Sequence, residues 1–184
     1  MIGQAAMLVI AAGAPAGDVQ APPPVVAVFA DSCALIAGDR AALWRIAETR
    51  DWPQVPVPEG QVSDRVDWAD AYAVGSSTIY LFSYSAGSAS SGGTGSVVSV
   101  SYPGAVICRV SGVLQEGWRD SLREVAEDRL GMTLNRPLVR RDPDADFQTA
   151  WWSRDGDQVE GQYRRRQNTM EVTWTRTVAP TETR

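Results

Sequence analysis

The sequence predicts an α+β fold, with two N-terminal helices and one later helix packed on an antiparallel sheet of about five strands that ends in a three-stranded meander. Three observations predict it. Apolar residues recur at helical spacing from Val25. β-Branched and aromatic runs then follow one another between residues 76 and 112. Beyond residue 146, period-two alternation folds back on itself about Asp155-Gly156, a strong two-residue hairpin signal.

In the first helix, Val28, Phe29, Cys33 and Ile36 lie at i, i+3 or i+4 spacing and form one face. Gly38 ends it. Asp39 is a good N-cap for a second helix, DRAALWRIAETR, whose inward stripe is Leu43, Ile46 and Ala47. Trp52-Pro53 stops that helix, and PQVPVPEG cannot be helical.

Residues 61–76 read equally as a short helix or an extended segment. STIYLFSYS, residues 77–85 with the preceding Ser76, reads as a strand, and the serine- and glycine-rich stretch 86–96 as a flexible loop. VVSVSY and AVICRVS follow as strands, with Pro103-Gly104 between them. In the second, Val106, Cys108 and Val110 share a face. EGWRDSLREVAEDRLG carries the helical stripe Trp118, Leu122, Val125, Ala126 and Arg129, and Gly131 suits the C′ position.

The Asp155-Gly156 turn sets a register. It pairs Trp152 with Val159, Ala150 with Gly161, Gln148 with Tyr163 and Asp146 with Arg165. A second turn near Gln167-Asn168 pairs Tyr163 with Val172 and Gly161 with Trp174, whose indole would lie across the bare glycine. One face then carries Trp152, Val159, Tyr163, Met170, Val172 and Trp174. The other carries Thr149, Glu160, Gln162, Arg164, Glu171 and Thr173, together with Phe147 and Trp151. The first is mostly apolar and the second mostly polar, as a half-buried antiparallel sheet requires.

The chain divides into residues 1–16 as a signal peptide, 17–24 as an extended leader and 25–184 as one α+β domain. Residues 5–12 are apolar, and Ala14-Pro15-Ala16 has the form of a cleavage site. No basic residue precedes the apolar run, so a cytosolic Ala-rich arm is the alternative. The run is too short to span a bilayer, which takes roughly 20 apolar residues. The expected location is therefore periplasmic or secreted, with cytoplasmic as the alternative.

Composition removes most common enzyme mechanisms. There is no His and no Lys, so all 17 basic side chains are Arg. Ser-His-Asp and Cys-His machinery, imidazole metal sites, the P-loop lysine and Schiff bases are excluded. Two cysteines alone make no zinc site. No metal or other cofactor is expected. The net charge of −5 and the lack of a recognition motif argue against nucleic acid.

Cys33 and Cys108 both face a core and can meet. After export they form a disulfide; in the cytosol they are two separate buried thiols. Arg109 cannot activate Cys108, because neighbours on a strand point to opposite faces. Asp142, Asp144 and Asp146 begin like a calcium loop, but Phe147 and Ser153 stand where Gly and Glu are needed, so they read as a solvated acidic linker. Asp64, Asp67 and Asp70 would line one face if their segment were helical.

The basic cluster YRRRQ places Arg164 and Arg166 on the open face with Trp151 and Phe147. Arginine beside exposed aromatics suits a glycan, an anion or a protein partner. The expected function is a small exported, non-enzymatic envelope protein that binds a protein or glycan through this face. The alternative is a small hydrolase using paired carboxylates from Asp64, Asp67, Asp70 or Glu116.

Overall fold

The computed structural model describes residues 24–59, 65–93, 96–114, 116–135 and 147–178. It is α+β, with a seven-stranded antiparallel sheet in the order β1-β2-β5-β9-β8-β7-β6. The strands are β1 (Val66–Val74), β2 (Ser77–Tyr84), β5 (Gly104–Val113), β6 (Thr133–Leu134), β7 (Phe147–Arg154), β8 (Asp157–Arg164) and β9 (Thr169–Val178). Strands β3 (Gly87–Gly93) and β4 (Ser96–Tyr102) pair as a separate two-stranded sheet. Residues 87–93, expected as a flexible loop, are thus a strand: the neighbouring run of Val and Ser supplies a backbone partner that composition alone does not reveal.

The leading helix is broken. It comprises α1 (Val25–Asp31) and α2 (Cys33–Ile36), separated at Ser32. The buried Ser32 hydroxyl donates to the Val28 carbonyl at 2.6 Å, a back-bond that competes with the helical ladder. The predicted inner face survives the break: Val28, Phe29, Cys33 and Ile36 are all buried. Asp39 caps α3 (Arg40–Thr49) as expected, accepting from the amides of Ala41 and Ala42. Between α2 and α3, Gly38 has φ +82°, and a Cβ there would stand 2.9 Å from the Trp174 ring. The helix layer can approach the sheet this closely only without a side chain at that point.

The later helix, α4 (Trp118–Arg123), continues through Glu124–Arg129 as a π-helix. Trp118, Leu122, Val125 and Ala126 are buried, whereas Arg129 is exposed. The widening of the coil turns the last position of the expected stripe out to solvent. Gly131, with φ +63°, closes the helix, and the Met132 amide reaches back to the Ala126 carbonyl at 2.8 Å. The Trp152 indole N–H donates to Glu127 at 3.0 Å and ties the π-helix to β7.

The β7–β8 register is the expected one: Trp152 faces Val159, Ala150 faces Gly161 and Gln148 faces Tyr163. Asp155 and Gly156 both have positive φ, as the tight turn needs. The Asp146–Arg165 pair and Asp142, Asp144, Asp64 and residues 1–23 lie outside the described residues. The β8–β9 register differs from expectation by two residues. Tyr163 faces Met170 and Gly161 faces Val172, because the connection is a four-residue one: a 3₁₀ turn over Arg165–Gln167 followed by left-handed Asn168. A shift of two preserves both faces, so Trp152, Val159, Met170, Val172 and Trp174 are all buried as expected. What changes is the partner of Gly161. Trp174 lies opposite Val159, and the space above Gly161 is filled from α4 by Trp118 and Leu122.

Cys33 and Cys108 are joined, with sulfurs 2.04 Å apart and Cα atoms 5.5 Å apart. Both are fully buried, and the bond links α2 to β5 near the middle of the sheet. One ion pair and one arginine–carbonyl hydrogen bond also tie the helix layer to the sheet. Arg40 on α3 grips Asp70 on β1 through Nε at 2.5 Å and Nη2 at 3.0 Å, with its guanidinium 4.7 Å from the Trp68 ring. Arg176 holds Asp157 through two nitrogens and also donates to the Ala37 carbonyl at 3.2 Å. No helix among the described residues is long and apolar enough to cross a membrane.

Candidate functional site

The helices cover one face of the sheet. On the other, antiparallel pairing places one residue from each strand in a row, and these rows define the candidate site. Arg109 (β5) faces Thr173 (β9), Thr173 faces Glu160 (β8), and Glu160 faces Trp151 (β7). The neighbouring row runs Ser111, Glu171, Gln162 and Thr149. On the far side lie Ile107, Thr175, Gln158 and Ser153.

Toward β1 and β2 the same face is apolar and covered. Tyr80, Phe82 and Ala71 are buried there, with Val55 and Val57 of the proline-rich segment packed against them. Tyr80 and Phe82 stack 5.9 Å apart. The Pro53 carbonyl and Val55 amide bond to Ala73 and Ala71, so the segment also closes the β1 edge. Proline, unable to continue a helix or take an inner place in a sheet, runs along an edge without disrupting it. The polar half of the face is thereby confined to β5, β9, β8 and β7.

At its centre is Glu160, half-buried. It accepts from Gln162 Nε2 at 2.7 Å and from the Trp151 side chain. Burial holds its carboxyl above the usual glutamate range. The two donors and the Arg109 charge pull the other way, and the neighbouring Glu171 pushes it further up. Arg109 Nε is itself buried and has no hydrogen-bond partner among the described residues. The indole N–H of Trp151 is used internally, which leaves the ring as an apolar surface on an otherwise polar face.

Of the residues expected to form the site, Trp151 and Arg164 fall on this face, and the backbone register puts Phe147 opposite Arg164. Arg166 lies in the 3₁₀ turn after β8 instead of on the strand. Residues 66–74 are strand, so Asp67 and Asp70 do not share a helix face. Asp70 pairs with Arg40, while Asp67 takes the hydroxyls of Ser83 and Ser85. Glu116 is exposed on the turn before α4. The described residues contain no group of three or more His, Cys, Asp or Glu placed to hold a metal ion.

Sequence reasoning missed Arg109 as a member of the face. It correctly turned Arg109 away from Cys108, but only the pairing of β5 with β9 brings it beside Thr173, 64 positions later. The signal available was parity: Arg109 is opposite in sense to Cys108, hence off the core.

The fold and site thus define a class: an antiparallel sheet sealed by helices on one side, with a charged, hydroxyl-rich and aromatic half-face on the other. Comparison of the chain with models of protein families, with curated proteins and with solved structures finds no match.

Proposed function

We propose that this is an exported, non-enzymatic envelope protein that binds a protein or glycan partner through the polar half of its open sheet face. The observation that carries the reading is the row Arg109–Thr173–Glu160–Trp151, in which a half-buried carboxylate is held by an indole and an amide. Such internal bonds fix side-chain directions before any partner arrives, which lowers the ordering cost of binding. Export draws support from the Cys33–Cys108 bond, since disulfides persist in oxidising compartments. A non-enzymatic role draws support from the absence of His and Lys and from the separate engagement of Asp67 and Asp70.

A photo-crosslinking amino acid placed at Gln162 in the native host tests the site. Crosslinked product is expected there and not from Leu35 on the helix layer. Trp151→Ala and Arg164→Ala abolish capture while the protein stays folded, as circular dichroism reads. Lost stability with capture retained overturns the site.

A further inference from the structure

We infer that the partner is an uncharged carbohydrate chain lying across the polar half of the open face, from Arg109 on β5 to Trp151 on β7. The inference rests on the sheet-face reading above and narrows it to one ligand chemistry.

Charge is the first argument. The face carries Arg109 and Arg164 against Glu160 and Glu171, a balance of zero. A polyanion meets two carboxylates there and a polycation meets two guanidinium groups, so neither is attracted over the whole track. An uncharged ligand pays no such repulsion.

Hydrogen-bonding character is the second. Ser111, Gln158, Gln162, Thr173 and Thr175 stand among the charged residues. Hydroxyl and amide groups both donate and accept, as sugar hydroxyls do, so the match holds in many rotations of the ligand.

The third is what the face does not offer. Protein interfaces concentrate their energy in clustered apolar and aromatic anchors. The large apolar side chains exposed among the described residues are Leu35, Trp44, Val113 and Val178. Leu35 and Trp44 belong to the helix layer, Val178 points to the helix side of β9, and Val113 lies at the margin of the open face. The row from Arg109 to Trp151 has one aromatic, Trp151, whose N–H is already taken by Glu160. An apolar ring among planar polar groups stacks on the C–H face of a pyranose while its neighbours take the hydroxyls.

Length is the fourth. Arg109 and Trp151 are three strand spacings apart, about 14 Å at 4.8 Å per spacing. That span fits a short oligosaccharide better than a single sugar.

The test is calorimetric titration of the oxidised full chain with cellohexaose, maltohexaose, mannohexaose and chitohexaose, and with a hexamer of galacturonate. At least one neutral hexasaccharide is expected to bind. Trp151→Ala weakens it tenfold or more and Gln162→Ala about threefold, while Trp44→Ala leaves it unchanged. The galacturonate hexamer binds at least tenfold more weakly than the preferred neutral one. Failure of all four neutral sugars, or tighter binding of galacturonate, overturns the assignment. If the sugars fail but crosslinking at Gln162 captures a protein that Trp151→Ala releases, the face is a binding site and only its ligand has been misassigned. If both experiments fail, the sheet-face reading falls as well.

Discussion

The Cys33–Cys108 bond closes a loop of 75 residues between the broken leading helix and the centre of the sheet. On the chain-entropy description, cross-linking at that separation removes about 15 cal/mol/K from the unfolded ensemble, or about 4.5 kcal/mol at 25 °C. With an unfolding entropy of about 2.1 cal/mol/K per residue, a chain of 184 residues loses about 12 °C in its thermal midpoint when the bond is opened. Both cysteines are fully buried, so reductant does not reach the native bond. The comparison is therefore between oxidised protein and protein reduced in urea and refolded with the reductant present. Both keep every sulfur atom, which separates the cross-link from packing. Thermal and urea unfolding followed by circular dichroism read the difference, and intact mass after alkylation verifies two free thiols. A steeper urea dependence is also expected on reduction, because the unfolded chain without its bridge exposes more surface. A reduced protein within 3 °C of the oxidised one, with both thiols shown free, refutes the assigned role of the bond.

Four further outcomes follow from the packing and the site. Gly161→Ala places a Cβ about 2.6 Å from Leu122 Cδ2 and closer still to the Trp118 ring; it costs about 1–3 kcal/mol in urea unfolding, as overpacking does. A double-mutant cycle on Arg40 and Asp70, with alanine at each, gives a coupling of about 1 kcal/mol, since Arg40 is half exposed and water weakens the pair. Glu160 keeps its proton in the folded state to higher pH than when unfolded, so the folded state binds the extra proton. Stability therefore falls as pH rises from 4.5 through the raised Glu160 value, and Glu160→Gln flattens that dependence in urea titrations. The proposed export is tested by intact mass of protein taken from its native host, with and without reductant and alkylation, for which a leader removed near residue 16 and no free thiol are the expected result.

Local chemistry was legible wherever one element decides its own form. Asp39 caps α3 and Gly131 closes the later helix, because a cap needs only its own turn. The Asp155-Gly156 hairpin came out in register because two residues with positive φ leave the flanking strands one pairing. The β8–β9 connection did not, since Gln167-Asn168 imposes no such limit and the chain took a 3₁₀ turn with Asn168 left-handed. Trp151 and Arg164 fall on one face, and Phe147 pairs with Arg164 in the backbone register, because alternation survives any even shift. Arg166 was lost to the turn for the same two-residue reason.

Period-two and period-3.6 patterning, turn residues and the absence of His and Lys determined by themselves the element types, the two sheet faces, the candidate cysteine pair and the chemistry this chain cannot perform. Tertiary structure alone decided which strands become neighbours, that a proline-rich segment seals one end of the open face, that α4 and not Trp174 fills the space over Gly161, and that Arg109 stands beside Thr173 and Glu160. The division is physical. Helices, turns and alternation are governed by contacts a few residues apart, whereas strand order and the surface it assembles depend on closing loops of tens of residues, and no local pattern records that outcome.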